Sequence, residues 1–316
     1  MQTTKIITIA GPTASGKSGL SLDLAQALNG VVINCDSMQV YKEIPILAAS
    51  PSQKDQQIAP HKLYGIYNAS YHGNVVEWAN LCKEEITSAL NQNKTPIVVG
   101  GTGLYIESLT KGLTPIPETS QKTRTQIDEL FQTKGLEYLY NLLETIDPKT
   151  HARLSPNDTT RIRRAVEIFY DTQKPLSYWH SLPLNKLFPE EMFLKIYINP
   201  SKEELDTRSY LRFDMMIKDG AIEEVEQLLT QNLPSTLPAM RALGVQELKQ
   251  YLENTLSLEE AIALAKLHTR QYAKRQTTWF NNRFTPDFHL KACYQHDNFF
   301  VDDIKKSLQN TCKIDY

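Results

Sequence analysis

The chain has 316 residues, of which 41% are hydrophobic and 22% are charged, and its formal net charge is −2. This length and composition are typical of a globular protein with a sizeable core, and they exclude a disordered or collagen-like chain. The slightly negative charge means that a nucleic-acid partner would have to bind a local basic surface.

Hydropathy and cysteine spacing indicate the cellular compartment of the protein and the redox state of its cysteines. No apolar run approaches the length of a membrane span, and the first residues lack a basic region followed by a long apolar stretch, which predicts a cytoplasmic protein without membrane attachment. The cysteines show neither C-x-x-C nor Cys/His spacing, so we predict reduced thiols rather than disulfides or a zinc site. The four cysteines are Cys35, Cys82, Cys293 and Cys312.

A phosphate-binding loop follows the first predicted strand. Residues 5–10 form an apolar, β-branched run, and residues 18–28 have the leucine spacing of a helix. Between them, GPTASGKS matches G-x-x-x-x-G-K-[ST] in full. In such a loop the backbone N–H groups face an anion, Lys17 can pair with a phosphate and Ser18 can bind a metal ion. The predicted diphosphate- or nucleotide-binding residues are Gly11, Pro12, Thr13, Ala14, Ser15, Gly16, Lys17 and Ser18.

Strand and helix patterns alternate after this loop. Residues 31–34, 63–67 and 96–100 read as strands, and residues 75–91 read as a helix. This alternation predicts an α/β fold in which helices cover both faces of a parallel sheet.

Two polar residues follow strand ends, where an open parallel sheet binds its ligands. Asp36 could accept a proton or hold a metal ion through water, and a helix N-cap is its structural alternative. Thr102, in the sequence GGTGLY, could donate a hydrogen bond to a phosphate, or simply form a turn. A motor-type ATPase needs an acidic metal ligand at such a strand end. The glycines here therefore favour a transferase with a phosphate leaving group.

The pattern changes after residue 111. Pro115 and Pro117 break the chain, and no convincing strand appears before residues 193–199. We therefore predict a helical insertion in the α/β core. The tail beyond residue 285 has little periodicity, which predicts a partly ordered terminus. The predicted domains are 1–117 with 191–290 as the core, 118–190 as the insertion and 291–316 as the tail.

Basic residues accumulate in the predicted helices between residues 202 and 283. Arg208 and Arg212 share a helix face, either as a clamp on phosphate or as solvated surface. Residues 266–283 contain no acidic residue and interleave basic with aromatic side chains, which suits either RNA or an amphipathic core helix. A second basic group, of three arginines at residues 161–164, lies in the insertion. Two such groups suggest an anionic polymer as partner.

These segments together resemble the tRNA dimethylallyltransferases, also called tRNA isopentenylpyrophosphate transferases, of the bacterial type. The resemblance covers residues 5–283. The motifs that carry it are GPTASGKS, DSMQVY, VGGTGLY, NDTTRIRRA, RSYLRFDMMIKDGAIEEV, MRALGV and RQYAKRQTTWF.

The resemblance implies a P-loop NTPase-like parallel sheet with a helical insertion domain. It also implies transfer of a dimethylallyl group from dimethylallyl diphosphate to N6 of the adenosine on the 3′ side of the anticodon, tRNA position 37. Mg²⁺ would be the cofactor, bound near Ser18. The sequence itself shows no oligomer seam, so a monomer is predicted. The implied catalytic residues are Asp36, as the base, Thr102 and Arg212.

The implied tRNA contacts fall into four segments, the first after the second strand, the second in the insertion and the other two in the C-terminal helices. They are Asp36, Ser37, Met38 and Gln39; Thr160, Arg161, Ile162, Arg163 and Arg164; Arg241, Ala242, Leu243, Gly244, Val245 and Gln246; and Lys274, Arg275, Gln276, Thr277, Thr278, Trp279, Phe280 and Asn281.

The chain departs from the family pattern in two places. Leu47-Ala48-Ala49-Ser50-Pro51 replaces a Gly-Thr-Ala-Lys-Pro segment, so residues 47–51 receive no diphosphate-binding role. Gly103 stands where relatives often have Met or Ser. Two alternatives remain on sequence grounds: a small-molecule or nucleotide kinase that binds ATP in the loop, and a non-catalytic RNA-binding protein with a degenerate nucleotide site.

Overall fold

A parallel six-stranded sheet organises the larger of two units into which the chain divides. The computed structural model describes residues 5–311. The larger unit comprises the chain up to Thr110 and from Leu187 onward, and the smaller unit is Lys111–Lys186.

The sheet has the strand order β3-β2-β4-β1-β5-β6, and every pairing in it is parallel. The strands β1 and β2 are buried along their whole length, which explains why they read as continuous apolar runs rather than as alternating ones. The strands are β1 Ile6–Ala10, β2 Gly30–Asn34, β3 His61–Lys62, β4 Thr95–Gly100, β5 Phe193–Ile198 and β6 Phe288–Leu290.

Four of the predicted strands are confirmed, but the one at residues 63–67 is wrong. The short strand β3 comes just before it, at His61–Lys62. Leu63 and Gly65 then adopt φ values of 63° and 58°. Left-handed backbone of this kind cannot continue an extended strand, so the chain turns there instead.

The helices of the larger unit begin at serine, asparagine or glycine caps where the sequence supplies them. Ser257 and Glu260, for example, form a reciprocal capping box at the start of the longest helix. These helices are α1 Lys17–Leu28, α2 Gln53–Ile58, α3 Val75–Asn91, α4 Gly103–Thr110, α9 Lys202–Lys218, α10 Ala221–Leu229, α11 Val245–Leu252, α12 Leu258–Arg283 and α13 Asn298–Thr311.

The C-terminal segment differs from the partly ordered tail that its weak periodicity predicted. It contributes the edge strand β6 and the helix α13. Val301 and Ile304 of α13 are buried in the same core as Leu20 of α1 and Ile97 of β4. Their apolar spacing is helical, but it covers too few residues to stand out in the sequence. Cys312, in the predicted tail, lies outside the described residues.

The smaller unit has its own helical core. Ile127, Leu139, Leu143 and Ile162 are fully buried in it. Its helices are α5 Gln121–Ile146, α6 Pro148–His151, α7 Thr159–Thr172 and α8 Leu176–His180.

The smaller unit begins and ends earlier in the chain than the predicted boundaries at residues 118 and 190. Leu113 and Asn185 exchange two backbone hydrogen bonds, of 3.1 and 2.8 Å. This pairing places the proline-containing segment after residue 111 in the smaller unit. Among residues 5–311, no helix combines the length and apolar character that crossing a bilayer requires.

Candidate active site

The loop of residues 11–18 connects β1 to α1 at the carboxyl end of the sheet. Gly16 has a φ of 94°, and its position leaves no space for a side chain, because a Cβ there would lie 2.6 Å from the carbonyl oxygen of Tyr294. No side chain among the described residues caps the first turn of α1. The N–H groups of that turn are therefore available to an anion, as the sequence predicts.

Lys17 is half-buried at the start of α1. Its Nζ donates to the carbonyl oxygen of Pro12 over 2.6 Å. Burial lowers the pKa of Lys17 to about 7, although the negative charge of Asp36 opposes the shift. The negative charge of an anion bound beside Lys17 would stabilise the protonated, positively charged form of this lysine.

Arg212 of α9 reaches the phosphate-binding loop from a distant part of the chain. Its guanidinium donates a hydrogen bond to Oγ1 of Thr13. Burial lowers the pKa of Arg212 as well, and Asp36 again opposes the shift. The structure thus brings together Lys17, Arg212 and Asp36, which lie far apart in the sequence. Arg208, the other arginine on this helix face, lies instead against Cys293.

Asp36 is held in a tight turn after β2. Its N–H donates to Oδ1 of Asn34 over 2.8 Å, and its own Oδ1 accepts the N–H of Met38 over 2.9 Å. Asn34, which is buried, also donates to the carbonyl oxygens of Asp36 and Leu63, each over 3.0 Å. The side chain of Asp36 closes an Asx-type turn. It does not cap a helix, so the structural alternative that the sequence left open is wrong.

Thr102 is joined to the same turn. Its Oγ1 accepts the N–H of Ser37 over 2.9 Å and lies 3.2 Å from the hydroxyl oxygen of Ser37. The ends of β2 and β4 approach closely at this point, since a Cβ on Gly100 would lie only 1.9 Å from the carbonyl oxygen of Cys35. Tyr272 of α12 hydrogen-bonds Thr102 from the other side, and burial raises the pKa of its hydroxyl.

Gln276 of α12 has a structural position that the sequence does not reveal. Its Oε1 accepts the N–H of Thr13 over 2.8 Å, and its Nε2 donates to the carbonyl oxygen of Gly101 over 2.9 Å. This buried amide connects the phosphate-binding loop to the end of β4. Gln276 is predicted as an RNA contact, but both polar atoms of its side chain are hydrogen-bonded to the protein backbone.

Other predicted RNA contacts are also buried, and a buried side chain cannot bind RNA directly. In the larger unit, Phe280 packs against Tyr197 and Phe284. In the smaller unit, Ile162 belongs to the core. At these positions the side chains belong to the core, so the predicted RNA contacts, which stay predictions, would have to be made by the backbone. The buried positions are Ile162, Ala242, Gly244, Val245, Gln276 and Phe280.

The outer face of α12 keeps the basic and aromatic character seen in the sequence. The ring of Trp279 covers Gly103, where a Cβ would lie 2.4 Å from the indole. The glycine that departs from the family pattern therefore makes room for this tryptophan. Lys266, by contrast, pairs with Asp214 over 2.6 Å. The groove on this face is lined by Gln271, Lys274, Arg275, Thr278, Trp279, Asn282 and Arg283.

The basic group on α7, in the smaller unit, is largely compensated by acidic partners. Arg161 pairs with Asp158 over 3.3 Å, and Arg163 pairs with Asp128. Arg164 donates to a threonine hydroxyl and lies 3.5 Å from a glutamate oxygen. Arg161 and Thr160 are the exposed members of this predicted RNA segment.

A C-terminal segment supports the phosphate-binding loop from behind. The N–H of Tyr294 donates to the carbonyl oxygen of Ser15 over 3.0 Å, and the Tyr294 hydroxyl donates to Asp23 of α1 over 2.6 Å. Burial raises the pKa of the neighbouring Cys293 thiol to about 12. These residues belong to a segment without periodicity, so no sequence signal could have assigned them to the site.

The segment that departs from the family pattern is held through its backbone. Glu224 of α10 accepts the N–H groups of Ile46 and Leu47 over 2.7 and 2.9 Å. Gln39 donates from Nε2 to the carbonyl oxygens of Ala48 and Ala49. Residues 46–49 thus connect α10 to the turn that holds Asp36.

The metal site predicted at Ser18 would have few protein ligands. No group of three or more His, Cys, Asp or Glu side chains able to hold a metal ion occurs within the described part of the chain. Ser18 itself is exposed at the start of α1. The surroundings therefore suit an ion that keeps several water molecules and shares the oxygens of a bound phosphate.

Comparison with known proteins gives one consistent result. The model of the IPP transferase family matches residues 39–283. A tRNA dimethylallyltransferase of Chelativorans sp. (strain BNC1) is 41% identical over 280 residues, which are 89% of this chain and 96% of that one. The tRNA dimethylallyltransferase of Zymomonas mobilis is 41% identical over 278 residues, 88% of each chain.

Solved structures agree with the sequence comparison. The tRNA isopentenylpyrophosphate transferase of Bacillus halodurans superposes with a TM-score of 0.70 at 30% identity, covering 98% of this chain and 99% of that one. A eukaryotic dimethylallyltransferase acting on tRNA superposes with a TM-score of 0.81 at 30% identity, covering 96% and 78%. The predicted α/β fold is confirmed.

Proposed function

The chain belongs to the IPP transferase family, and on that premise we propose that it transfers a dimethylallyl group from dimethylallyl diphosphate to N6 of the adenosine at position 37 of tRNA. The diphosphate is the leaving group. A monomer is proposed as the active form.

One observation carries the proposal: Lys17 and Arg212 both donate to the phosphate-binding loop, at Pro12 and Thr13, and the charge of Asp36 acts on both cations. A base and two cations therefore meet beside a phosphate-binding loop. A leaving diphosphate gathers negative charge while the attacking nitrogen sheds a proton. The two cations stabilise the charge on the diphosphate, and the carboxylate accepts the proton from the nitrogen.

Asp36 acts as the general base. The lone pair of N6 is delocalised into the adenine ring, so the amine attacks well only if its proton is removed. As the N6–C1 bond forms, the C1–O bond breaks and its electron pair leaves with the diphosphate. Asn34 holds the backbone of Asp36 and the N–H of Met38 holds its Oδ1, while Oδ2 makes no hydrogen bond to residues 5–311.

The leaving diphosphate is bound by the loop of residues 11–18. Its N–H groups, Lys17 and Arg212 would stabilise the charge that develops on the leaving oxygen. Thr102 keeps Ser37 and Asp36 next to this loop. The fixed positions of these groups avoid reorganisation during the reaction.

Mg²⁺ fits this arrangement as the cofactor. Ser18 and the diphosphate oxygens would hold it, because the described residues offer no acidic cluster to bind it alone. When bound, the ion neutralises charge on the diphosphate.

The RNA would reach Asp36 as an unstacked nucleotide. An adenine stacked in the anticodon loop is inaccessible to the partly buried carboxylate of Asp36, so the enzyme has to extrude it. The groove on α12, with Lys274, Arg275 and Trp279, offers phosphate contacts and an aromatic ring close to the site.

A single assay tests the proposal against its rivals. The protein is incubated with unmodified tRNA and Mg²⁺, with either dimethylallyl diphosphate or ATP plus small-molecule acceptors, and the products are analysed by mass spectrometry. We expect N6-dimethylallyladenosine at position 37. Phosphorylation by ATP would instead support a kinase, and tight RNA binding without any product would support a non-catalytic RNA-binding protein.

A further inference from the structure

Residues 44–50 form a compact loop around the carboxylate of Glu224. Besides the two bonds to Glu224, the loop is closed by Ala48 N–H to the carbonyl oxygen of Ile44 and by Ser50 N–H to that of Pro45, both over 2.9 Å. Glu224 is 9% exposed. Burying a carboxylate costs free energy, and here the two N–H groups of residues 46 and 47 offset that cost.

This loop fixes the side-chain amide of Gln39. Nε2 donates to the carbonyl oxygens of Ala48 and Ala49 over 3.1 and 2.8 Å, so both of its protons are used. The amide cannot be reversed, because Oε1 would then face two carbonyl oxygens. The atom that remains for a ligand is Oε1, which only accepts hydrogen bonds.

Gln39 follows Asp36 by three residues in the same turn. The N–H of Met38 binds Asp36, and the carbonyl oxygen of Gln39 accepts the N–H of Gly65 over 2.9 Å. A purine brought to Asp36 for reaction presents its 6-position to this turn. Adenine carries two N–H donors there, whereas guanine and hypoxanthine carry a carbonyl oxygen.

We propose that Gln39 recognises the 6-amino group through Oε1, and that Glu224 is a positioning residue that holds this orientation through residues 46–49. Asp36 accepts one proton of the amino group and Gln39 accepts a hydrogen bond from the other. A 6-oxo purine would place its oxygen against two acceptors. This inference rests on the proposed function and adds the group that selects adenine.

The same contacts account for the departure of residues 47–51 from the family pattern. Every bond from Glu224 and Gln39 to this segment ends on a backbone atom. The role of the segment therefore survives replacement of its polar side chains. Leu47 and Phe213 both lie against Gly244.

A double-mutant cycle separates positioning from a general structural role. The variants are Gln39→Ala, Glu224→Gln and the double variant, with Glu226→Gln, an exposed glutamate on the same helix, as the control. The readouts are kcat and KM for an anticodon stem-loop, KM for dimethylallyl diphosphate, and the melting temperature.

We expect each single variant to lower kcat/KM for the stem-loop by about tenfold, the loss of one hydrogen bond to a group left unpaired. KM for dimethylallyl diphosphate should stay unchanged. The double variant should be no worse than the more severe single variant, because both changes remove one interaction. If the losses in kcat/KM multiply in the double variant, the positioning role of Glu224 is overturned. It is also overturned if Glu224→Gln lowers the melting temperature but leaves kcat/KM unchanged.

A second readout uses the base itself. A stem-loop with inosine at the target position has no 6-amino group and serves as a competitor. The wild-type protein should bind it about tenfold more weakly than the adenosine stem-loop, and both variants should shrink this ratio several-fold. An unchanged ratio in active variants would overturn the inference alone. A wild-type protein that makes no N6-dimethylallyladenosine would overturn the proposed function as well.

Discussion

Asp36 is fixed by hydrogen bonds to its backbone and to its side chain, and its charge acts on two cations. The sequence places it after a strand, and the geometry adds Lys17 and Arg212. A carboxylate and two cationic side chains therefore lie together at the point where a proton has to be accepted and a diphosphate has to leave.

Replacement of this carboxylate tests its role as the base. Asp36→Asn keeps the size of the side chain and the bond from Met38, but it removes the basic group. We expect kcat to fall by about 10²- to 10⁴-fold while stem-loop affinity is retained. Asp219→Asn, at an exposed position after α9, is the control. Near-full turnover by Asp36→Asn in single-turnover kinetics would show that another group takes the proton.

The lowered pKa of Lys17 predicts how diphosphate binding depends on pH. In the free protein, Lys17 loses its proton as the pH rises through about 7, whereas the bound anion favours the charged form. Affinity for inorganic diphosphate should therefore be highest below pH 7 and at least about tenfold weaker at pH 9.

The variant Lys17→Arg is the matched control, because a guanidinium stays charged over this range. Isothermal titration calorimetry from pH 6 to 9 measures both proteins. The titration of diphosphate itself affects both equally and cancels in their ratio. A ratio that does not change with pH would contradict the lowered pKa.

At the scale of the secondary-structure element, helix α12 separates two functions on two faces. Its inner face carries Gln276 and Phe280, and its outer face carries charged residues and part of the indole of Trp279. The choice between an RNA-binding helix and an amphipathic core helix therefore does not arise, because α12 contributes to the core on one side and offers a basic surface on the other.

The inner face holds the phosphate-binding loop through Gln276. Gln276→Ala leaves the N–H of Thr13 and the carbonyl oxygen of Gly101 unpaired, which should lower the free energy of unfolding by about 2 kcal/mol. It should also weaken diphosphate binding, since the loop loses its support. Urea unfolding and calorimetry measure the two effects. Gln271→Ala, exposed on the same helix, should leave both unchanged.

The outer face should bind RNA with the basic residues that pair with no acidic side chain within residues 5–311. Arg270→Ala and Lys274→Ala should each reduce the slope of log affinity against log salt by about one, if each residue contacts a phosphate. Lys266→Ala should leave the slope unchanged, because Asp214 already compensates this lysine. Fluorescence anisotropy with a stem-loop at several salt concentrations measures the slopes. Equal slopes for all three variants would contradict the distinction between basic residues that bind phosphate and the lysine that Asp214 compensates.

At the scale of the whole molecule, the helical unit Lys111–Lys186 interrupts the sheet-forming chain between α4 and β5. Its two ends lie side by side, since Leu113 pairs with Asn185. It has its own hydrophobic core. Both features are expected of a unit that folds by itself.

Excision of this unit tests its role. Replacement of residues 111–186 by a short Gly-Ser linker should leave the affinity for inorganic diphosphate within about twofold, because the residues proposed to bind it lie outside the unit. Stem-loop affinity should fall by about tenfold or more, since a second contact is lost. A gel shift with unchanged RNA affinity would show that the unit does not bind the substrate.

Local patterns in the amino-acid sequence were enough to predict one part of the fold and of the site. Continuous apolar runs specified the buried strands, and helical spacing specified α9 to α12. The phosphate-binding loop was complete in eight consecutive residues. The resemblance to a family then supplied Asp36, Thr102 and Arg212 as a set.

Which of these residues meet, and which are buried, depends on how distant segments of the chain pack together. The contact of Arg212 with Thr13 and the bridge made by Gln276 join residues that are between 175 and 263 positions apart. No local pattern encodes such distances, because they follow from how the sheet and helices pack. The same holds for Glu224 and for Tyr294, whose contacts run through the backbone of distant segments. Side-chain type predicts chemistry, but burial and orientation, which packing sets, decide whether that chemistry faces a ligand or the protein itself.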